Sequence, residues 1–164
     1  MKLLYLVLVI VTLASCSNND TPIVTGYEGK PMPDFDMLKM DSITQLNTAS
    51  IPTGKPIVMF LFSPYCPYCR AQTEDILKNV SKLENVRLYM VSPFPFALLK
   101  DYDQQFHLSR YPAITVVLDT KNVFGVYYKA NAVPFIAIYN KDKMLKQVLM
   151  GKTGVNTIRK AALD

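Results

Sequence analysis

Apolar and polar positions change period several times along this chain, and the changes mark its elements. Ile57-Val58-Met59-Phe60-Leu61-Phe62 is an apolar run of strand length without a charge, which predicts a buried strand. Directly after it Cys69, Thr73, Ile76, Leu77, Val80 and Leu83 recur at helical spacing. Arg70, Glu74, Asp75, Lys78 and Lys82 take the other face, so an amphipathic helix follows, with Asn85 as its stop. Upstream, Asp34 to Met40 alternates, Asp41-Ser42 forms a turn and Ile43 to Leu46 returns, which predicts a hairpin. Downstream, Val86 to Val91 predicts a second strand, Phe96 to His107 a short helix, and Ile114 to Leu118 a third strand. Asn122 to Tyr128 fits one or two helical turns, and Ala132 to Tyr139 a strand with a proline at its entry. Met144 to Leu149 fits an antiparallel partner, and Val155, Ile158, Ala162 and Leu163 a closing helix. Strand, helix, strand, helix, then strand, strand, helix indicates an α/β fold, a mixed sheet with helices on both faces.

The two ends of the chain differ in kind. Met1-Lys2 precede an apolar run from Leu3 to Leu13, and Ala14-Ser15-Cys16 closes it. A charged start, a short apolar stretch and small residues predict a secretory signal; a membrane span needs about 20 apolar residues. Leu13-Ala14-Ser15-Cys16 resembles the lipobox of bacterial lipoproteins. That resemblance implies a signal peptide over 1–15, cleavage before Cys16, and a diacylglycerol on its sulfur. Residues 16–30 then read as the lipidated cysteine and a flexible tether, and 31–164 as one domain. Of three cysteines, two remain for that domain.

Composition adds limits. The 164 residues suffice for one domain with a real core. The net charge of +5 becomes +4 when Lys2 leaves with the signal, and no run of five like charges occurs. That pattern predicts neither nucleic-acid binding nor a polybasic membrane patch; the lipid would hold the protein to its membrane. Export places the chain in the cell envelope, facing the periplasm or the exterior, where disulfides persist.

The candidate chemistry is Cys66-Pro67-Tyr68-Cys69, at the strand–helix junction. The first turn of a helix has unpaired N–H groups and the positive end of the dipole, and both favour a thiolate. Pro67 is tolerated there because its missing N–H would have no partner. Cys66 is therefore the expected nucleophile and Cys69, one turn on, the resolving thiol. Tyr65 and Tyr68 either contact a substrate or cover the sulfurs.

This order of elements, with Cys-x-x-Cys at the first strand–helix junction and Val133-Pro134 entering a later strand, resembles the thioredoxin fold. The layout is similar to the TlpA/ResA-like group of exported, membrane-tethered oxidoreductases. Pro33-Asp34-Phe35 with the following turn resembles that group's N-terminal hairpin. Tyr111-Pro112 through Asp119, with Phe124-Gly125-Val126, resembles its strand–helix insert before the cis-proline. The resemblance covers residues 31 to 163. It implies a redox-active Cys66–Cys69 disulfide without cofactor or metal, a cis bond at Pro134, and Val133 backbone facing an extended substrate together with Tyr65, Pro67 and Tyr68. It further implies client proteins, an upstream thiol partner and a monomer.

Departures from that pattern sharpen the expectations. Tyr65 stands where the family has tryptophan, Phe60 where thioredoxins bury an acid, and Gln72 where ResA-like proteins often carry glutamate. Water or Glu74 would then have to take the proton of Cys69. Pro67-Tyr68 is the pair found in glutaredoxins, whose couples lie at about −200 to −230 mV against about −270 mV for thioredoxin. A couple less reducing than thioredoxin's is the expectation. Other readings are weaker. Zinc would need four ligands where Cys66, Cys69 and the single His107 offer three. A thiol peroxidase would fit Ser63 but wants proline at Met59, and Arg70 alone does not complete that site. A lipid-anchored binding module with a structural disulfide is the other alternative.

Overall fold

The computed structural model describes residues 22–164. The expected signal peptide, Cys16 and its lipid lie outside them. Among the described residues no helix is long and apolar enough to cross a membrane.

Seven strands form one mixed sheet. They are β1 (Asp36–Lys39), β2 (Gln45–Asn47), β3 (Ile57–Leu61), β4 (Arg87–Ser92), β5 (Ile114–Leu118), β6 (Phe135–Tyr139) and β7 (Leu145–Met150), in the order β2-β1-β5-β4-β3-β6-β7. β3 runs parallel to β4, and β4 to β5, while β6 and β7 add antiparallel on one side and the β1–β2 hairpin on the other. Among the described residues four α-helices complete it: α1 (Pro67–Lys78), α2 (Phe96–Phe106), α3 (Val123–Tyr127) and α4 (Val155–Leu163). This is the thioredoxin-like arrangement that the resemblance implied, with its hairpin extension and its β5–α3 insert.

Every residue of β3 is buried because it lies mid-sheet, and its two-residue period sorts its side chains between two cores. Val58, Phe60 and Phe62 join Ile76 of α1, Leu99 of α2 and Ile158 of α4. Ile57, Met59 and Leu61 point the other way, toward Phe35, Met37, Val117 and Phe124 of α3. Three helices thus cover one face, and a single short helix with the hairpin side covers the other.

Three expectations shift. α1 stops at Lys78, since the Asn79 side chain bonds back to Asp75 O at 3.0 Å and a 3-10 turn, Val80–Leu83, carries Leu83 into the core. β2 begins at Gln45 because Asp41 Oδ1 accepts the N–H groups of Ile43 and Thr44, holding both in the turn. Residues 23–30, placed by the sequence reading in the tether, lie against the domain. Ile23 pairs with Val148, Pro31 bridges Met144, and Tyr27 stacks on Tyr127 at 4.5 Å, so this stretch lies along β7.

Candidate active site

The redox motif is placed by the way β3 ends. Phe62 N–H still donates to Val91 O at 3.0 Å, and the chain then turns as Cys66 N–H donates to Ser63 O at 3.1 Å. Cys66 has extended dihedrals and occupies the N-cap of α1, with Pro67 at the first helical position. Its sulfur accepts the Cys69 N–H at 3.3 Å, where an N-cap oxygen would normally sit. Cys66 is half-buried, and Cys69 is 0% exposed; both are free thiols. Burial pushes the Cys69 thiol well above the usual range, opposed in part by a backbone hydrogen bond from Ser63 and reinforced by Cys66 beside it. Tyr65 and Tyr68 are 68% and 66% exposed. Tyr65 meets Phe94 edge-on at 5.8 Å, which builds an aromatic ledge beside Cys66.

The Val133–Pro134 peptide is cis. It faces the motif directly, because the Cys66 thiol donates to Val133 O at 3.6 Å. Pro134 O accepts Gly151 N–H at 2.8 Å, and two residues on Thr153 N–H donates to Gln72 Oε1 at 2.7 Å. Gln72 therefore ties α1 to the loop that supports Pro134. Its side chain is 0% exposed, and its Nε2 has no acceptor among the described residues. Phe60 is fully buried in the core, so neither position places a carboxylate here. Glu74 is exposed on the outer face of α1, away from the buried face that holds Cys69, which removes it as the proton acceptor considered above.

A hydroxyl pair beneath Cys69 escaped the sequence reading. Thr73 Oγ1 donates to Cys69 O at 3.0 Å and lies 2.8 Å from the Tyr102 hydroxyl, which itself reaches Cys69 O at 3.4 Å. The Tyr102 ring packs on Phe62 at 4.8 Å and on Phe106 at 4.7 Å, so α2 is pinned to the first turns of α1. Burial pushes the Tyr102 phenol up to about 12, which keeps it a neutral donor. Thr73 sits on the apolar face of a predicted helix, and a threonine there was the available signal. Arg70 stacks over the Phe106 ring at 5.2 Å, and His107 is exposed at the left-handed C-cap of α2. Among the described residues no three His, Cys, Asp or Glu side chains gather as a metal site would require.

The chain is similar to proteins of two kinds. The thiol:disulfide interchange protein DsbE of Yersinia pestis is 32% identical over 84 residues, a stretch spanning 46% of this chain and 43% of that protein. A secreted disulfide oxidoreductase of Mycobacterium tuberculosis, homologous to E. coli DsbE, superposes with a TM-score of 0.64 at 19% identity, covering 79% of this chain and 96% of the other. Enterococcus faecalis AhpC superposes with a TM-score of 0.67 at 15% identity, over 82% and 90% of the two chains. At such identities the two structures establish the shared thioredoxin-like fold. The sequence match over residues 29–148 goes further: this chain belongs to the AhpC/TSA family.

Proposed function

We propose that this chain is a thiol–disulfide oxidoreductase that exchanges a Cys66–Cys69 dithiol/disulfide with protein clients. The observation that carries the reading is the asymmetry of the pair: a partly exposed sulfur at the head of α1, and a buried thiol one turn below it. Cys66 attacks one sulfur of a client disulfide. A Cys66–client bond forms, the client S–S bond breaks, and the released client thiolate takes up a proton. Cys69 then loses its proton and attacks Cys66 Sγ. The Cys66–Cys69 bond forms and the second client thiolate leaves, so two electrons pass to the client. An upstream dithiol returns the pair to the reduced state, and the same steps reversed oxidise a client.

Burial of Cys69 gives the order of attack. A thiol held protonated within the core does not compete for an incoming disulfide, and it acts once the mixed disulfide is beside it. The Val133 carbonyl, 3.6 Å from Cys66 Sγ, offers backbone to an extended client segment, with Pro67 and the Tyr65 and Tyr68 rings as its apolar flanks. Relatives carrying the DsbE description support this reading, as does the fold. The finer placement rests on residues 1–16: cleavage before Cys16, a lipid on its sulfur, and work on the extracytoplasmic side of a membrane. That it works as a monomer rests on the TlpA/ResA-like resemblance alone.

A peroxidase reading draws on the AhpC-like neighbour, and one experiment separates the possibilities. Cys69→Ser in the full chain is expected to accumulate client proteins in disulfide linkage to Cys66, released by dithiothreitol, while Cys66→Ser accumulates none. A binding module with a structural disulfide traps nothing in either variant. A peroxidase consumes hydrogen peroxide rapidly and traps no clients.

A further inference from the structure

The parallel strands β3, β4 and β5 have a second end, opposite to the one that carries Cys66. Their amino-terminal ends border a half-open cavity of about 650 Å³. Its wall mixes the aromatic rings of Tyr89 and Tyr111 with the hydroxyl-bearing Thr115, and three ionic residues line it: Lys55, Glu84 and Arg87. Arg87 is held at the first position of β4, with its N–H donating to Pro56 O at 2.9 Å. Its Nη1 is buried, and no acceptor among the described residues reaches it. A buried guanidinium nitrogen without an acceptor is costly, and its fork geometry matches a carboxylate.

From this cavity and its orphaned donor we propose a binding site for a small organic monocarboxylate with an aromatic or branched apolar body. The carboxylate sits on Arg87, and the body packs between Tyr89 and Tyr111. The cavity volume falls in the range that holds small ligands, about 300–1,000 Å³. Charge selects the head group. Two cations and one acid leave the lining one positive charge in excess, which suits a monoanion better than a phosphate dianion. Lys55 Nζ donates to Glu84 O at 3.4 Å at the exposed rim, whereas Arg87 brings the buried donor without a partner, which makes Arg87 the principal contact. The site is independent of the thiol pair and of its proposed reaction.

An amide NMR titration of the full chain with phenylacetate tests it, with phenethyl alcohol and phenyl phosphate as comparators at constant ionic strength. Saturable shifts centred on Arg87, Tyr111 and Thr115 are expected with phenylacetate. Affinity should fall roughly tenfold in Arg87→Met, fall less in Arg87→Lys, and rise in Glu84→Gln. Where Arg87→Met fails to fold, the Arg87→Lys and Glu84→Gln variants decide. The proposal is overturned if shifts do not saturate at millimolar phenylacetate, if phenethyl alcohol binds as well, if phenyl phosphate binds more tightly, or if these variants leave the affinity unchanged.

Discussion

At the scale of single residues the site is a set of side chains whose surroundings divide labour between two identical thiols. Cys66 replaces a capping oxygen at the head of α1, and Cys69 is enclosed by the core. The hydroxyls of Thr73 and Tyr102 hold the Cys69 carbonyl from below. Tyr102→Phe keeps the ring contacts and removes one hydroxyl, so a stability loss of about 1 kcal/mol is expected. Thr73→Val leaves the Tyr102 hydroxyl facing a methyl group, and about 1–3 kcal/mol should be lost. Urea unfolding reads both as shifted midpoints at unchanged slope; equal midpoints for wild type and both variants would mean that the pair does not brace α1. The motif itself was legible, because Cys-x-x-Cys after an apolar run fixes both the junction and the turn. The partners of Gln72 and Tyr102 were not. Gln72 is a polar residue on an otherwise amphipathic helix, Tyr102 an aromatic residue in a distant helix, and only folding brings Thr153 to the first and Thr73 to the second.

At the scale of elements, the strands were the more readable part because burial on both faces writes them as unbroken apolar runs. β3 and β5 fall within a residue of expectation, and α4 agrees with its periodicity. β6 begins later than Ala132, at Phe135, after the cis Val133–Pro134 peptide. Two other ends that moved are set by side-chain hydrogen bonds, at Asn79 and Asp41, which periodicity does not register. The same chemistry supports α3, a helix of five residues. Asp119, 0% exposed, accepts the Val123 and Phe124 N–H groups at 2.9 and 2.8 Å and satisfies its first turn. Asp119→Ala should cost about 0.5–2 kcal/mol, with faster amide hydrogen exchange confined to residues 123–128. Unaltered exchange there would show that packing of Phe124 alone holds the helix. Lys143 is another residue whose hydrogen bonds periodicity does not register. Its Nζ donates to Thr48 O, Ala49 O and Ile51 O at 3.2, 2.7 and 3.0 Å, tying the β6–β7 turn to the segment after β2.

At the scale of the whole molecule, buried groups that resist losing a proton set how stability depends on pH. Burial raises Cys69, Tyr102, Tyr128 and Tyr139 above their ordinary values, which are 9.0 for the thiol and 10.0 for the phenols. Above those values the unfolded chain sheds protons that the folded chain keeps, so stability is full below about pH 9 and falls as pH rises beyond it. In the oxidised protein Cys69 no longer titrates, and the decline should begin about one pH unit higher, with the phenols. Urea midpoints of both forms between pH 7 and 11 check this; a flat profile, or coincident ones, would contradict it. Residues 1–21 carry the reading of export and lipid attachment, and it stands on their sequence pattern. The chemistry of the domain does not depend on them. Its most direct test is a glutathione redox titration, with alkylation and mass measurement counting the free thiols at each ratio. The account predicts one two-electron transition in which Cys66 and Cys69 disappear together, at a potential above the roughly −270 mV of thioredoxin. Thiols that stay free at the most oxidising ratio, or a Cys66 that only acquires glutathione, would contradict it.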